Sequence, residues 1–138
     1  MQADRQQAVE RWLHYARLDL AAAELWPDVA QLPLTVVCFH AQQAAEKYIK
    51  ALLVACDSDP PHTHDLVALV ELLPSDLQSS LLECDLEALS FWAVEARYPT
   101  SFPEPTDEDA SRVIPLARAV RDRVLAILAA IDDEPEDR

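Results

Sequence analysis

The chain has 138 residues, of which 25 are Asp or Glu and 11 are Lys or Arg, so its formal net charge at pH 7 is −14. A chain this acidic is a poor general ligand for duplex DNA, because the neutralisation of phosphates by basic side chains drives that binding. Glycine is absent, which excludes Walker-type phosphate loops and dinucleotide-binding fingerprints, because both need glycine for close backbone approach.

Length and hydrophobicity indicate one domain. A chain that is 51% hydrophobic can bury a real core, so we predict a single unit over residues 1–131 and an acidic tail over 132–138. Cys38, Cys56 and Cys84 lack metal-ligand spacing and are typical of buried thiols in a reducing compartment. No apolar run suits a signal sequence or a membrane span. We therefore expect a cytoplasmic protein.

Two long helices are predicted in the first half. The first covers about residues 4–26, before Pro27, and the second covers about residues 33–56, starting at Pro33, a favourable first-turn residue. The apolar residues of the first helix recur on one arc, as expected of a stripe that faces the core: Val9, Trp12, Leu13, Ala16, Leu20 and Ala23.

The second half also reads as helical. Helices are predicted over about residues 64–74 and 85–97, with a short helix from Ser75 between them, whereas the proline-rich segment 98–106 is predicted to be irregular. A fourth long helix follows Thr106, and Pro115 lies on the side opposite its core stripe of Val113, Ala117, Val120, Val124, Ile127 and Ile131. We therefore predict an all-α protein: an up-and-down bundle of four long helices with one or two short ones.

The second helix is apolar on two sides. One arc of the helical wheel holds Val37, Ala41, Ala44, Ala45, Tyr48 and Leu52, and the opposite side holds Gln42, Gln43, Glu46, Lys47 and Lys50. Phe39 and Leu53 interrupt that polar side, which indicates burial on more than one side. Three interpretations stay open: Phe39 packs under a loop of its own chain, or the face is a dimer seam or a ligand cleft. We favour a symmetric seam at Val36, Phe39, Gln43, Glu46 and Lys50.

Two other polar spots have structural and functional interpretations. The run from His62 to Asp65 is a candidate metal site, but a helix start with Asp65 at its positive end is the stronger interpretation, so no metal is predicted. Arg97 either caps a helix end or holds a phosphate, with Tyr98 available to stack on a base. Spacing alone reveals no catalytic serine or cysteine set, so no catalytic residue is assigned.

Four segments in this order resemble the HEPN domain family over about residues 11–130: "WLHYARLDLAAAE", "CFHAQQAAEKYIKALL", "HTHDLVALVELL" and "AVEARYP". The resemblance implies a helical bundle that often dimerises. It also implies, in many cases, an operon partner that is a small nucleotidyltransferase, in pairs that resemble toxin–antitoxin systems. The family name itself implies nucleotide binding.

The resemblance also marks polar positions that line or support a cleft and the dimer seam. Apart from Glu46, which the seam already includes, these are His40, Gln43, Lys47, Lys50, His64, Asp65, Arg97 and Tyr98. In this interpretation Lys47, Lys50 and Arg97 meet phosphates. Tyr98 or Phe39 would then contact a base.

One feature of the family is missing. HEPN ribonucleases carry an arginine followed, after four to six residues, by a histidine, a pair that supplies a cation and a general acid or base. No arginine of this chain has a histidine in that window. We therefore expect a non-catalytic HEPN module that dimerises and partners a nucleotidyltransferase, with a nucleotide in a local cleft and no cofactor. The alternatives are a metal-independent ribonuclease toxin that uses His40 or His64 with Arg97, and a purely structural dimer.

Overall fold

The structure is a computed structural model that describes residues 1–93 and 104–133, and all of its regular elements are helices. They are α1 (Ala3–Ala23), α2 (Leu34–Ala55), α3 (Leu66–Val70), α4 (Ser75–Leu82), α5 (Leu86–Ser90) and α6 (Asp107–Asp133). The all-α prediction is confirmed. None of the helices in these ranges combines the length and the hydrophobicity that a transmembrane span requires.

The α2 helix is the centre of the fold. It packs against α1 along one side and against α6 along another, and it also contacts α3 and α5. Its predicted apolar arc is buried throughout, and so are most of the predicted stripes of α1 and α6. Trp12, Ile127 and Ile131 are only partly buried and pack against the edge of the core. The exposed Pro115 lies inside α6, away from the core, as the sequence predicts.

The third helix is shorter than predicted. The sequence predicts a helix over residues 64–74, but α3 covers only Leu66–Val70. Asp65 sets its start, because the carboxylate accepts hydrogen bonds from the backbone N–H groups of Val67 and Ala68 at 3.1 and 3.2 Å. The described part of the bundle therefore has three long helices, α1, α2 and α6, with three short helices between α2 and α6.

The end of α2 uses a left-handed residue. Asp57 has φ 61°, and the backbone N–H groups of Asp57 and Ser58 donate to the carbonyls of Val54 and Leu53 at 3.0 and 2.9 Å. This pattern closes a helix C-terminus and usually places glycine at the left-handed position. A chain without glycine must use another residue, and the short polar side chain of Asp is among the best tolerated there. Asp57 is further fixed by Arg5 of α1, 3.1 Å away.

Candidate functional site

A strip of polar side chains runs along α2 beside α1. Helical periodicity places His40, Gln43 and Lys47 on one line, with Glu46 and Lys50 next to it. The α1 helix lies against this strip and the loop before α3 closes its other side, so that partners come from three segments of the chain. The polar groups of the strip gather around two buried carboxylates.

The first group, the Asp19 cluster, joins Asp19, His40 and Lys47. Asp19 comes from α1 and is only 9% exposed. One carboxylate oxygen is 2.8 Å from Nδ1 of His40, and the other accepts a hydrogen bond from Nζ of Lys47. Because an ionised carboxylate only accepts, this geometry places a proton on Nδ1 of His40. The cluster therefore links α1 to α2 through charge-assisted hydrogen bonds.

The second group, the Glu46 cluster, joins Gln42, Glu46, Lys50 and His64. Glu46 is 3% exposed, and its carboxylate lies 2.8 Å from Nδ1 of His64 and 3.1 Å from Nζ of Lys50. The amide of Gln42 donates to the same carboxylate at 3.2 Å and also reaches the backbone carbonyl of His64 at 3.3 Å. The cluster thus fastens the loop before α3 onto α2.

Lys50 is unusually buried for a lysine, with 6% of its surface exposed. Its ammonium group bonds to Glu46 and lies 5.5 Å from the centre of the Trp12 ring, within the range of a cation–π contact. Within the described residues, no buried side-chain nitrogen or oxygen lacks a hydrogen-bond partner. Each buried polar group of the strip is therefore paired within the chain, as the cost of burying an unpaired charge requires. We call this internal pairing the closure of the strip.

The structure brings together five of the predicted cleft residues: His40, Gln43, Lys47, Lys50 and His64. Gln43 joins through its amide, which donates to the side chain of Gln42 at 2.7 Å. The carboxylate of Asp65 instead caps α3. Arg97 and Tyr98 lie outside the described residues.

The predicted dimer seam divides into two parts. Val36 is 40% exposed, and Phe39 and Gln43 are half-buried. Glu46 and Lys50 are instead buried inside their own chain, because they pair with each other beside Trp12 and His64. The accessible part of the predicted seam is therefore the N-terminal half of α2.

The sequence analysis missed three contributors: Asp19, Gln42 and Trp12 as site residues. Asp19 carries a weak signal, because it lies seven residues after Trp12, two helical turns along the edge of the α1 core stripe. An acid at such a position needs a partner from another element. Its partners are 21 and 28 residues away in sequence, which no local spacing rule reveals.

The three cysteines and Tyr48 are poor candidates for nucleophiles. Burial, reinforced by the carboxylate of Asp109, raises the pKa of the Cys38 thiol to about 12. Burial also raises the pKa values of Cys56, Cys84 and Tyr48. Thiols with raised pKa values hold little thiolate at neutral pH and are weak nucleophiles. Across residues 1–93 and 104–133, no group of three His, Cys, Asp or Glu side chains is arranged to hold a metal ion.

The all-helical bundle and the sequence of the chain define the class of this protein. The chain belongs to the HEPN domain family, whose family model matches residues 9–127. This match confirms the resemblance carried by the four sequence segments. No curated protein is significantly similar to the chain in sequence.

Two solved structures share the fold. One is the crystal structure of TT1696 from Thermus thermophilus, which is 27% identical to the chain, with a TM-score of 0.74 over 86% of this chain and 96% of that one. The other is ST0689, described as an archaeal HEPN homologue, which is 25% identical, with a TM-score of 0.66 over 87% of this chain and 97% of that one.

Proposed function

We propose that the chain is a non-catalytic HEPN module that dimerises and recruits a small nucleotidyltransferase, in a pair that resembles a toxin–antitoxin system. The observation that carries this proposal is the closure of the polar strip on α2. Every lysine of the chain and two of its four histidines are held by a carboxylate of the same chain.

Closure of the strip disfavours a phosphate-binding role. Lys47 and Lys50 already have counter-charges in Asp19 and Glu46. Drawing Lys50 toward a ligand would leave a buried carboxylate without its ammonium partner, which costs several kcal/mol. Nucleotide binding at these two lysines therefore has less support than a structural role in which both clusters hold α1, α2 and the loop before α3 in register.

Dimerisation is supported by the charge distribution. Residues 29–45 contain no Asp, Glu, Lys or Arg in a chain whose net charge is −14. Two copies that meet through acidic parts of their surfaces repel each other, because like charges repel. The accessible residues Val36, Phe39 and Gln43 lie in this uncharged stretch, and Val36 and Phe39 supply apolar area. A second copy is therefore best accommodated at the N-terminal half of α2.

Light scattering on matched variants tests the dimer. The variant Val36→Asp places a charge at the proposed seam, and Leu72→Asp places the same charge at a similarly exposed apolar position outside it. We expect dimers for the wild type and for Leu72→Asp, and monomers for Val36→Asp. A wild-type monomer at high micromolar concentration would remove the seam from the proposal.

Co-purification tests the partnership. The protein is tagged and expressed with its untagged operon neighbours, and the retained proteins are identified by mass spectrometry. We expect a stoichiometric nucleotidyltransferase. The general basis is charge complementarity between an acidic module and a basic partner surface. Retention of no nucleotidyltransferase by the wild type would reject the partnership.

One observation favours a ribonuclease as the second candidate. His64 is held by Glu46 through Nδ1, and its side chain is still 48% exposed. A carboxylate-oriented imidazole with an accessible second nitrogen is the arrangement of a general acid or base. Incubation of RNA with the protein in EDTA decides: cleavage that is lost in His64→Ala and Arg97→Ala but kept in the exposed control His14→Ala would establish this alternative, and absence of wild-type cleavage would exclude it.

A further inference from the structure

Two cavities adjoin on the outer side of α1. The larger, about 900 Å³, lies between the start of α1 and the loop after α2. The smaller, about 330 Å³, lies one to two helical turns further along α1. Both are lined by Ala8 and Trp12, so they lie next to each other on α1. We call the two cavities together the α1 groove, and its two halves differ in chemistry.

The larger half of the α1 groove is acidic. Its lining includes three carboxylates, Asp4, Asp57 and Asp59, against one guanidinium, that of Arg5. Arg5 is occupied by Asp57 at 3.1 Å. In the part of the chain that the structure describes, no hydrogen bond or ion pair engages the carboxylates of Asp4 and Asp59. The concave surface therefore carries two carboxylates that have no counter-charge among the described residues.

The smaller half of the α1 groove is aromatic and apolar. It is lined by Ala8, Arg11, Trp12 and Tyr15, and most of its accessible surface is apolar. Tyr15 is 49% exposed, and Leu18, one turn further along α1, is 53% exposed. Aromatic side chains with accessible faces supply large contact area at a low cost in conformational entropy, which is why they are enriched at protein interfaces.

Three features restrain the walls of the α1 groove. The backbone N–H of Ser58 holds the loop to the end of α2, and the ion pair between Arg5 and Asp57 ties the same loop to α1. Pro60 and Pro61, which line the larger half, restrict the backbone further. A preformed site loses less entropy on binding than one that must order a loop.

We infer that the α1 groove binds a short segment of a partner protein in which a Lys or Arg is next to an apolar residue. The basic side chain lies between Asp4 and Asp59, and the apolar one packs on Trp12 and Tyr15. This inference rests on the proposed function, because the segment is taken to belong to the recruited protein. It places recruitment on the first half of α1, away from the uncharged seam at the start of α2.

Charge disfavours three other occupants of the α1 groove. A nucleic acid would bring phosphates against the free carboxylates of Asp4 and Asp59. The last seven residues of the chain itself, 132–138, contain five acids and one arginine, so they are repelled too. A second copy of a chain with a net charge of −14 meets the same repulsion at this groove. A basic and apolar peptide satisfies both halves.

Fluorescence anisotropy with labelled peptides tests the α1 groove directly. The probe is the heptapeptide Ser-Arg-Leu-Ser-Arg-Leu-Ser, with two comparison peptides in which Glu replaces Arg or Ser replaces Leu. We expect the first peptide to bind in the micromolar range and each comparison peptide to bind at least about tenfold more weakly. Absence of binding up to millimolar peptide, or equal binding of the Ser-for-Leu peptide, would overturn the inference.

Matched protein variants separate the α1 groove from general acidity. Asp4→Asn with Asp59→Asn removes two charges from the groove, and Glu71→Gln with Glu87→Gln removes two from exposed positions outside it. We expect the first pair to weaken the peptide about tenfold or more and the second to change it less than about twofold. Equal weakening by both pairs would assign binding to net charge and reject the groove. Circular dichroism confirms that all variants are folded.

Co-purification distinguishes failure of the α1 groove from failure of the proposed function. Tyr15→Ser combined with the two groove aspartate changes should lose the nucleotidyltransferase, whereas Val36→Asp should retain it. Retention by the groove variant would overturn the inference and leave the partnership standing. If the wild type itself retains no nucleotidyltransferase, the partnership fails, and the peptide titration alone judges the groove.

Discussion

The Asp19 and Glu46 clusters contain the same three chemical groups in different surroundings. In each, a carboxylate holds the Nδ1 of one imidazole at 2.8 Å and one lysine ammonium group. The Glu46 pair lies on a single helix, and its lysine side chain is 7% exposed, whereas Asp19 reaches across from α1 to a lysine that is 25% exposed. Burial of the lysine, more than the identity of the partners, should decide what each cluster contributes to stability.

The largest effect should come from Glu46→Gln. This change keeps the shape of the side chain but leaves the ammonium of Lys50 buried without a counter-charge, and breaking such a pair costs about 3–5 kcal/mol. The free energy of unfolding, measured by urea denaturation, should fall by that amount. A loss below about 1 kcal/mol would show that Lys50 reaches water despite its burial.

A double variant sharpens this result. In Glu46→Gln combined with Lys50→Met, no charge of the pair remains, and Met occupies much of the space of the lysine stem. We therefore expect the double variant to be more stable than Glu46→Gln alone, by at least about 1 kcal/mol. Additive losses would mean that the two side chains do not interact across their 3.1 Å contact.

Asp19→Asn should cost less than Glu46→Gln, about 1–2 kcal/mol. Lys47 and His40 lose their carboxylate, but both are part-exposed and can bond to water instead. Urea denaturation under identical conditions supplies the comparison. If the two single variants are equally unstable, burial of the lysine is not the deciding factor. The link that Asp19 makes between α1 and α2 would then offset the greater exposure of its lysine partner.

These clusters also show what the sequence could predict. The Glu46–Lys50 pair is visible as an i,i+4 spacing, and the apolar arc of α2 follows from helical periodicity. The same patterns placed Glu46 and Lys50 on a face available to a second copy. The structure buries them because Trp12 of α1 and His64 cover that face, and helical spacing within α2 contains no information about those two segments.

The short helices mark a second limit of the sequence. The largely apolar segment from Leu66 to Leu73 suits one continuous helix, yet α3 ends at Val70. The cap at Asp65 was predictable from side-chain chemistry. The C-terminal end depends on tertiary packing, which overrides a propensity difference of a few tenths of a kcal/mol per residue. Periodicity therefore fixes which residues are buried better than it fixes where a short helix stops.

Cys38 is a buried titratable residue of α2 that belongs to neither cluster. Burial raises the pKa of its thiol from 9.0 to about 12. The unfolded thiol ionises above pH 9 while the folded one stays neutral, so stability present below pH 9 is lost as the pH rises toward 12. The slope is at most about 1.4 kcal/mol per pH unit. Melting temperatures of wild type and Cys38→Ala between pH 8 and about 11 should converge with rising pH, and parallel curves would contradict the assignment.

The smallest effect should come from the ion pair of Arg112 and Asp85, although its contact distance is shorter than that of the Glu46–Lys50 pair. Arg112 and Asp85 approach to 2.7 Å, closer than the 3.1 Å between Lys50 and Glu46, yet their side chains are 64% and 49% exposed. Water and salt screen such a contact, so Arg112→Ala should cost less than about 0.5 kcal/mol in urea denaturation, and less still at high salt. Arg112 is the partner to change, because Asp85 also caps α5. A loss as large as that of Asp19→Asn would mean that contact distance, and not burial, ranks the ion pairs of this fold.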